Sequence, residues 1–177
     1  MKCGIQFKKA VGFKQYLSGI INILEGITSP DLSIYSQDAG QTNTYSVSGG
    51  NIIGYCNRNG GANASKGVRL NVRPLIKINP NVQRYFKHRA YGTRAPYADN
   101  PAYYLLGDDG NSVQIFGDSY QGGSAVTSFD ISGTIDLSTK GLTNQNYRLI
   151  IAYATWGVYA DYPTNITYSK LEFSPIP

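Results

Sequence analysis

Thr127, Phe129, Ile131, Gly133, Ile135 and Leu137 alternate with Ser128, Asp130, Ser132, Thr134, Asp136 and Ser138. A side-chain period of two puts each set on its own face of a strand, so this stretch has one buried and one wet face. Val68, Leu70, Val72, Ile76 and Ile78 form a second apolar row, interleaved with Arg69, Asn71, Arg73 and Lys77. Strands with one solvated face belong to antiparallel sheets, because parallel sheets are covered on both sides. The chain is therefore read as a mainly antiparallel β protein.

Turn chemistry divides the rest into short strands. Leu32–Tyr35, Tyr45–Val47 and Ile52–Cys56 come first, then the polar, glycine-rich run from Asn57 to Asn63. Strand 67–78 and the stretch 82–91 flank Asn79-Pro80-Asn81, which predicts a hairpin rich in Lys and Arg. Pro74 cannot donate to a ladder, so its place is an edge or a bulge. Tyr103–Leu106 and Ser112–Phe116 flank Asp108-Asp109-Gly110-Asn111, a second hairpin. Gly133 predicts a bulge or bend in the strand 126–138. Tyr147–Trp156 is apolar on both faces and reads as a covered central strand; Thr167–Phe173 closes the series. Eight or more short strands predict a two-sheet, jelly-roll-like sandwich over residues 31–177. Residues 1–30 read as an arm or helical segment. Phe13, Leu17, Ile20 and Leu24 favour a helix over 13–25, while Gly12, Gly19 and Gly26 favour two short strands instead.

Only 15% of the 177 residues are charged, while 15 are tyrosines. The wet surface is thus built from hydroxyls, amides and amphipathic rings, a composition suited to binding faces and subunit contacts. Residues 1–94 hold 13 Lys/Arg against 3 Asp/Glu, and residues 95–177 hold 3 against 8. Basic and acidic strands lying side by side in one sheet would account for this. So would complementary faces that stack neighbouring subunits, or a basic face for an anionic partner. Arg69, Arg73, Lys77, Arg84, Lys87 and Arg89 are the residues singled out for assembly or an anionic partner. Nucleic acid is the weaker choice of partner, since no RNA- or DNA-binding motif accompanies them. No secretory signal and no membrane span is read in the sequence, and Cys3 and Cys56 are expected as thiols.

Catalytic chemistry has little to work with. His88 is the single histidine, flanked by Lys87 and Arg89, and is expected on the strand surface with its pKa held down by those charges. One His and two distant Cys supply no zinc set, and the run from Asp108 to Asn111 lacks the spaced carboxylates of a calcium loop. The prediction is no enzyme, no cofactor and no metal. Trp156, Tyr159, Asp161 and Tyr162 form the best ligand-binding loop, with rings to stack on a sugar and a carboxylate for its hydroxyls. Packing of the same rings into the core, or against a subunit, is the competing account.

The run Phe129–Ser138, then Leu142, Tyr147-Arg148-Leu149 and the closing Ser169–Phe173, resembles the C-terminal β-sandwich domains of bacteriophage structural proteins, such as tail fibres, tail appendages and head decorations. The resemblance covers about a third of the chain and carries no functional residues. It implies a virion surface protein, made in the host cytoplasm, that acts by assembly, with other virion proteins and copies of itself as partners and a cell-surface glycan as a further ligand. The alternative function is a carbohydrate-binding module that uses the aromatic loop.

Overall fold

The computed structural model describes residues 19–36, 41–58, 68–94, 101–117, 126–153 and 164–177. Eleven strands among them, numbered in chain order, form two antiparallel sheets packed as a sandwich. The first sheet runs β3 (Gln41–Ser48), β4 (Asn51–Arg58), β11 (Thr164–Ser174), β6 (Tyr85–Arg94) and β9 (Thr127–Asp136), with the short β1 (Ile21–Asn22) added to β11. The second runs β2 (Leu32–Ser36), β5 (Val68–Ile78), β10 (Gln145–Tyr153), β7 (Ala102–Gly107) and β8 (Ser112–Gly117). Only β3–β4 and β7–β8 are hairpins between consecutive strands; from β4 onward the other connections pass between the sheets, as in a jelly roll. Gly49 and Gly50 both take positive φ and join β3 to β4, the two-residue turn whose twist matches the flanking strands.

The alternations seen in the sequence set the layers. Leu70, Val72, Ile76 and Ile78 of β5 face Ile52, Phe86, Ala90, Ile166, Tyr168 and Phe173 of the other sheet across a single core. In β10, Tyr147, Leu149, Ile151 and Tyr153 point inward, as the central strand requires. Pro74 lies where the register between β5 and β10 slips: Ile76 opposes Tyr147 and Val72 opposes Leu149, so three residues of β5 face one of β10. That is the bulge the proline predicts.

Four expectations are corrected. Strands β5 and β6 do not form a hairpin. They flank the Asn79 turn but enter opposite sheets, β5 between β2 and β10 and β6 between β11 and β9. Residues 19–25 are not helical: Ile21–Asn22 pairs with Glu172–Phe173, and Ile23, Leu24 and Ile27 bury their side chains in the core, where they join the sandwich. Residues 13–18 of the predicted helix lie outside the described residues.

Gly133 makes no bulge, for β9 pairs with β6 in unbroken register from Thr127 to Asp136. His88 is no surface residue either. It sits in the inward row Phe86–His88–Ala90 at 3% exposure, its ring 4.5 Å from that of Phe116 and 5.1 Å from that of Tyr103. The two corrections share a cause: a Cβ on Gly133 would lie 3.2 Å from His88 Nε2, so the glycine leaves room for the imidazole.

Candidate functional site

The sandwich offers two outer faces, and they differ in chemistry. On the first sheet, β6 and Arg84 just before it supply the cations, and the neighbouring strands the anions. Arg89 bonds Asp130 through two nitrogens at 2.8 and 3.1 Å, Arg84 pairs with Asp136 at 3.1 Å, and Lys87 lies 3.9 Å from Glu172. These pairs hold the Asp130 and Asp136 carboxyls below the usual carboxylate range, chiefly through the guanidinium hydrogen bonds. Rows of Ser, Thr and Asn complete this face, with Tyr91 37% exposed beneath Arg89. The charge asymmetry of the sequence is therefore resolved on this face within one sheet, as a cross-strand ladder.

The second sheet carries a different arrangement on its outer face. Ser33, Asn71, Ile150, Tyr104 and Gln114 form one row across β2, β5, β10, β7 and β8. By the alternation of their strands these residues point away from the core, yet Ile150 is 2% and Asn71 4% exposed. Both are therefore covered on this face, beside the half-buried Tyr104. The guanidinium carbon of Arg69 sits 4.9 Å above the centroid of the Tyr104 ring. Since β5 and β7 are separated by β10, Arg69 and Tyr104 together bridge a gap of roughly 10 Å. Ala152 and Ala102, which follow Arg69 in its own row, leave that path open.

Asn71 is the polar residue of this covered row. Its amide nitrogen reaches Ser33 Oγ at 3.4 Å, while its Oδ1 is buried with no hydrogen-bond partner. A buried acceptor left unbonded costs about 1–3 kcal/mol. Gln114, exposed at the far end, folds its amide over Gly117, where a Cβ would collide with it. The half-buried Tyr104 ring, the covered Ile150, two amides and a guanidinium are thus neighbours on this face.

The predicted site residues are dispersed by the fold. Arg84, Lys87 and Arg89 lie on the paired face of the first sheet, and Arg69 and Lys77 on the outer face of the second. Arg73 belongs to β5, and its side chain lies outside the described residues. The six therefore make no single patch. Trp156, Tyr159, Asp161 and Tyr162 also lie outside the described residues, between Tyr153 and Thr164. Asn71, Ile150, Tyr104 and Arg148 were not anticipated as site residues; the double-sided apolar pattern of β10 was the signal available for the covered outer face.

The turn after β7 is held by its own side chains. Asp109 accepts from the Asn111 backbone and amide at 3.0 Å each, and Asp108 from Asn146 at 2.8 Å. Among the described residues no cluster of three His, Cys, Asp or Glu is placed to hold a metal, and no helix is long and apolar enough to cross a membrane. His88 is withdrawn from solvent, and its burial lowers its pKa to about 4. The fall has the predicted direction but not the predicted cause, because desolvation produces it. Cys56 lies as a thiol in the core, and Cys3 falls outside the described residues.

No protein-family model and no curated protein matches the sequence. Solved structures match at the level of fold. A CBM4 structure aligns with a TM-score of 0.48 and 11% identity over 82% of this chain and 95% of its own. The N-terminal cellulose-binding domain of Cellulomonas fimi β-1,4-glucanase C gives 0.45 and 12% over 86% and 99%. An arabinose-bound MgGH51 α-L-arabinofuranosidase gives 0.47 and 11% over 81% of this chain, which spans only 23% of that protein. The expectation of a phage virion structural protein is corrected: these likenesses include carbohydrate-binding modules and no phage protein. The pattern that carried the phage resemblance is the strand sequence β9, β10, β11, which any sandwich of this topology needs. What stands is an antiparallel β-sandwich of jelly-roll type.

Proposed function

We propose that this chain is a non-enzymatic module that binds a polysaccharide on the outer face of the second sheet. The half-buried Tyr104, with the Arg69 guanidinium over its ring, carries the reading. A sugar ring is apolar on its C–H faces and ringed by hydroxyls, so it is matched by an aromatic face, an apolar floor and a few fixed polar groups. Tyr104 supplies the ring, and Arg69 and the exposed Gln114 supply polar groups beside it. A binding role also suits the carboxylates and the histidine. Asp130, Asp136 and Glu172 are engaged by cations, and His88 is sealed in the core, so these groups serve the fold and not proton transfer.

The test is retardation of the purified protein in gels containing neutral and acidic polysaccharides, followed by calorimetry on the best ligand. Wild type is retarded by at least one of them, and Tyr104→Ala loses that retardation while unfolding at the wild-type temperature. Tyr91→Ala, on the opposite face, keeps it. A wild-type protein that no polysaccharide retards, or a loss confined to Tyr91→Ala, overturns the reading.

A further inference from the structure

The two faces differ in how their cations are used. Arg84, Lys87 and Arg89 are each matched to a carboxylate on the first sheet. Arg69, Arg148 and Lys77 share the outer face of the second sheet, and among the described residues none of them has a carboxylate within ion-pair distance. Arg69 rests on Tyr104, Arg148 stands exposed two residues before Ile150, and Lys77 Nζ reaches only the Asn144 carbonyl at 3.4 Å. Asp108, in the turn beyond β7, accepts from Asn146. Among the described residues, the outer face around Tyr104 thus carries positive charge without a carboxylate partner.

We propose that this face selects anionic saccharides, a choice that rests on the polysaccharide reading above. A sugar ring lies beside Tyr104, and the carboxylate or sulfate groups of the chain engage Arg69 and Arg148. Guanidinium groups bind both kinds of anion through paired N–H donors. Single-stranded nucleic acid is less well matched, because sequence-independent binding uses successive aromatic platforms. This row holds one ring.

The experiment is calorimetry of the full chain with polygalacturonate, dextran sulfate, neutral galactan and a single-stranded oligonucleotide, at low and high salt. One or both acidic saccharides bind more tightly than galactan and weaken with salt; which of the two binds distinguishes carboxylate from sulfate. Arg69→Ala and Arg148→Ala each lower that affinity about tenfold, the scale of one lost charge-assisted hydrogen bond. Arg148 is exposed, so its replacement leaves folding intact even where Arg69→Ala disturbs the face. Galactan bound as tightly as the acidic chains, with Arg148→Ala silent, overturns the anionic preference and leaves the polysaccharide reading standing. Failure of every saccharide overturns both. An oligonucleotide that binds more tightly than all three polysaccharides overturns the saccharide ligand in favour of nucleic acid.

Discussion

His88 shows how one residue can be misjudged from its neighbours in the chain and explained by its neighbours in space. Lys87 and Arg89 point to solvent, whereas His88 alternates inward between Phe86 and Ala90 and meets Phe116 and Tyr103. Its Nδ1 has no partner, and the charged form is disfavoured by burial. The folded pKa of about 4 lies below the value near 6.5 expected of an unfolded chain. The unfolded state therefore binds the proton first. Stability from this residue is complete above about pH 6.5 and is lost as pH falls towards 4, by about 3 kcal/mol at one proton's linkage. Urea midpoints measured between neutral pH and about pH 4.5 will show this slope, and His88→Leu will flatten it. Asp31, Asp109, Asp130 and Asp136 are all held below their usual 3.8, so their contributions fade at lower pH, outside the window. Two tyrosine hydroxyls make a second contrast. That of Tyr147 accepts from the Thr143 backbone at 2.9 Å and donates to the Thr143 carbonyl at 3.0 Å, pinning the turn into β10. That of Tyr168 is buried without a partner. Tyr147→Phe lowers stability by about 1–2 kcal/mol, while Tyr168→Phe leaves it unchanged or raises it, as thermal unfolding will record.

At the level of elements, the sequence shows its strands well and their partners poorly. Period-two rows in β5 and β9 and the two-sided apolar run of β10 appear directly, because burial is written in each side chain. Strand order is not, since β5 and β6 adjoin in sequence through the Asn79 turn and still enter different sheets. Gly133 misled because a glycine that makes space for a neighbour reads the same as one that bends the backbone. The candidate face was legible only in part: the covered outer side of β10 could be seen, but Arg69 over Tyr104 joins residues two strands apart that only topology brings together. The ladder between β6 and β9 is the clearest product of pairing, with Arg89 and Arg84 matched to Asp130 and Asp136. Replacing both arginines by aspartate sets like charges across the strands and lowers the urea midpoint. Adding Asp130→Arg and Asp136→Arg recovers most of the loss, because the swapped ladder has the same geometry with its signs exchanged. A quadruple variant no more stable than the double one would show that the ladder contributes nothing specific.

For the molecule as a whole, the net charge of +5 is less informative than its division between faces. Lys170 and Arg148 are both exposed cations without an ion-pair partner among the described residues, and they stand on opposite sides of the sandwich. Arg148→Glu and Lys170→Glu change the net charge equally, so long-range attraction to a polyanion falls by a similar amount in both. Any difference between them reports the local site. If the outer face of the second sheet binds the anionic chain, Arg148→Glu abolishes retardation by the acidic polysaccharide at moderate salt. Lys170→Glu then retains it, with a small loss that vanishes as salt rises. Equal losses in the two variants, both erased by salt, would show a diffuse electrostatic attraction with no preferred face. A greater loss in Lys170→Glu would move the site to the first sheet, where Tyr91 and the polar rows lie.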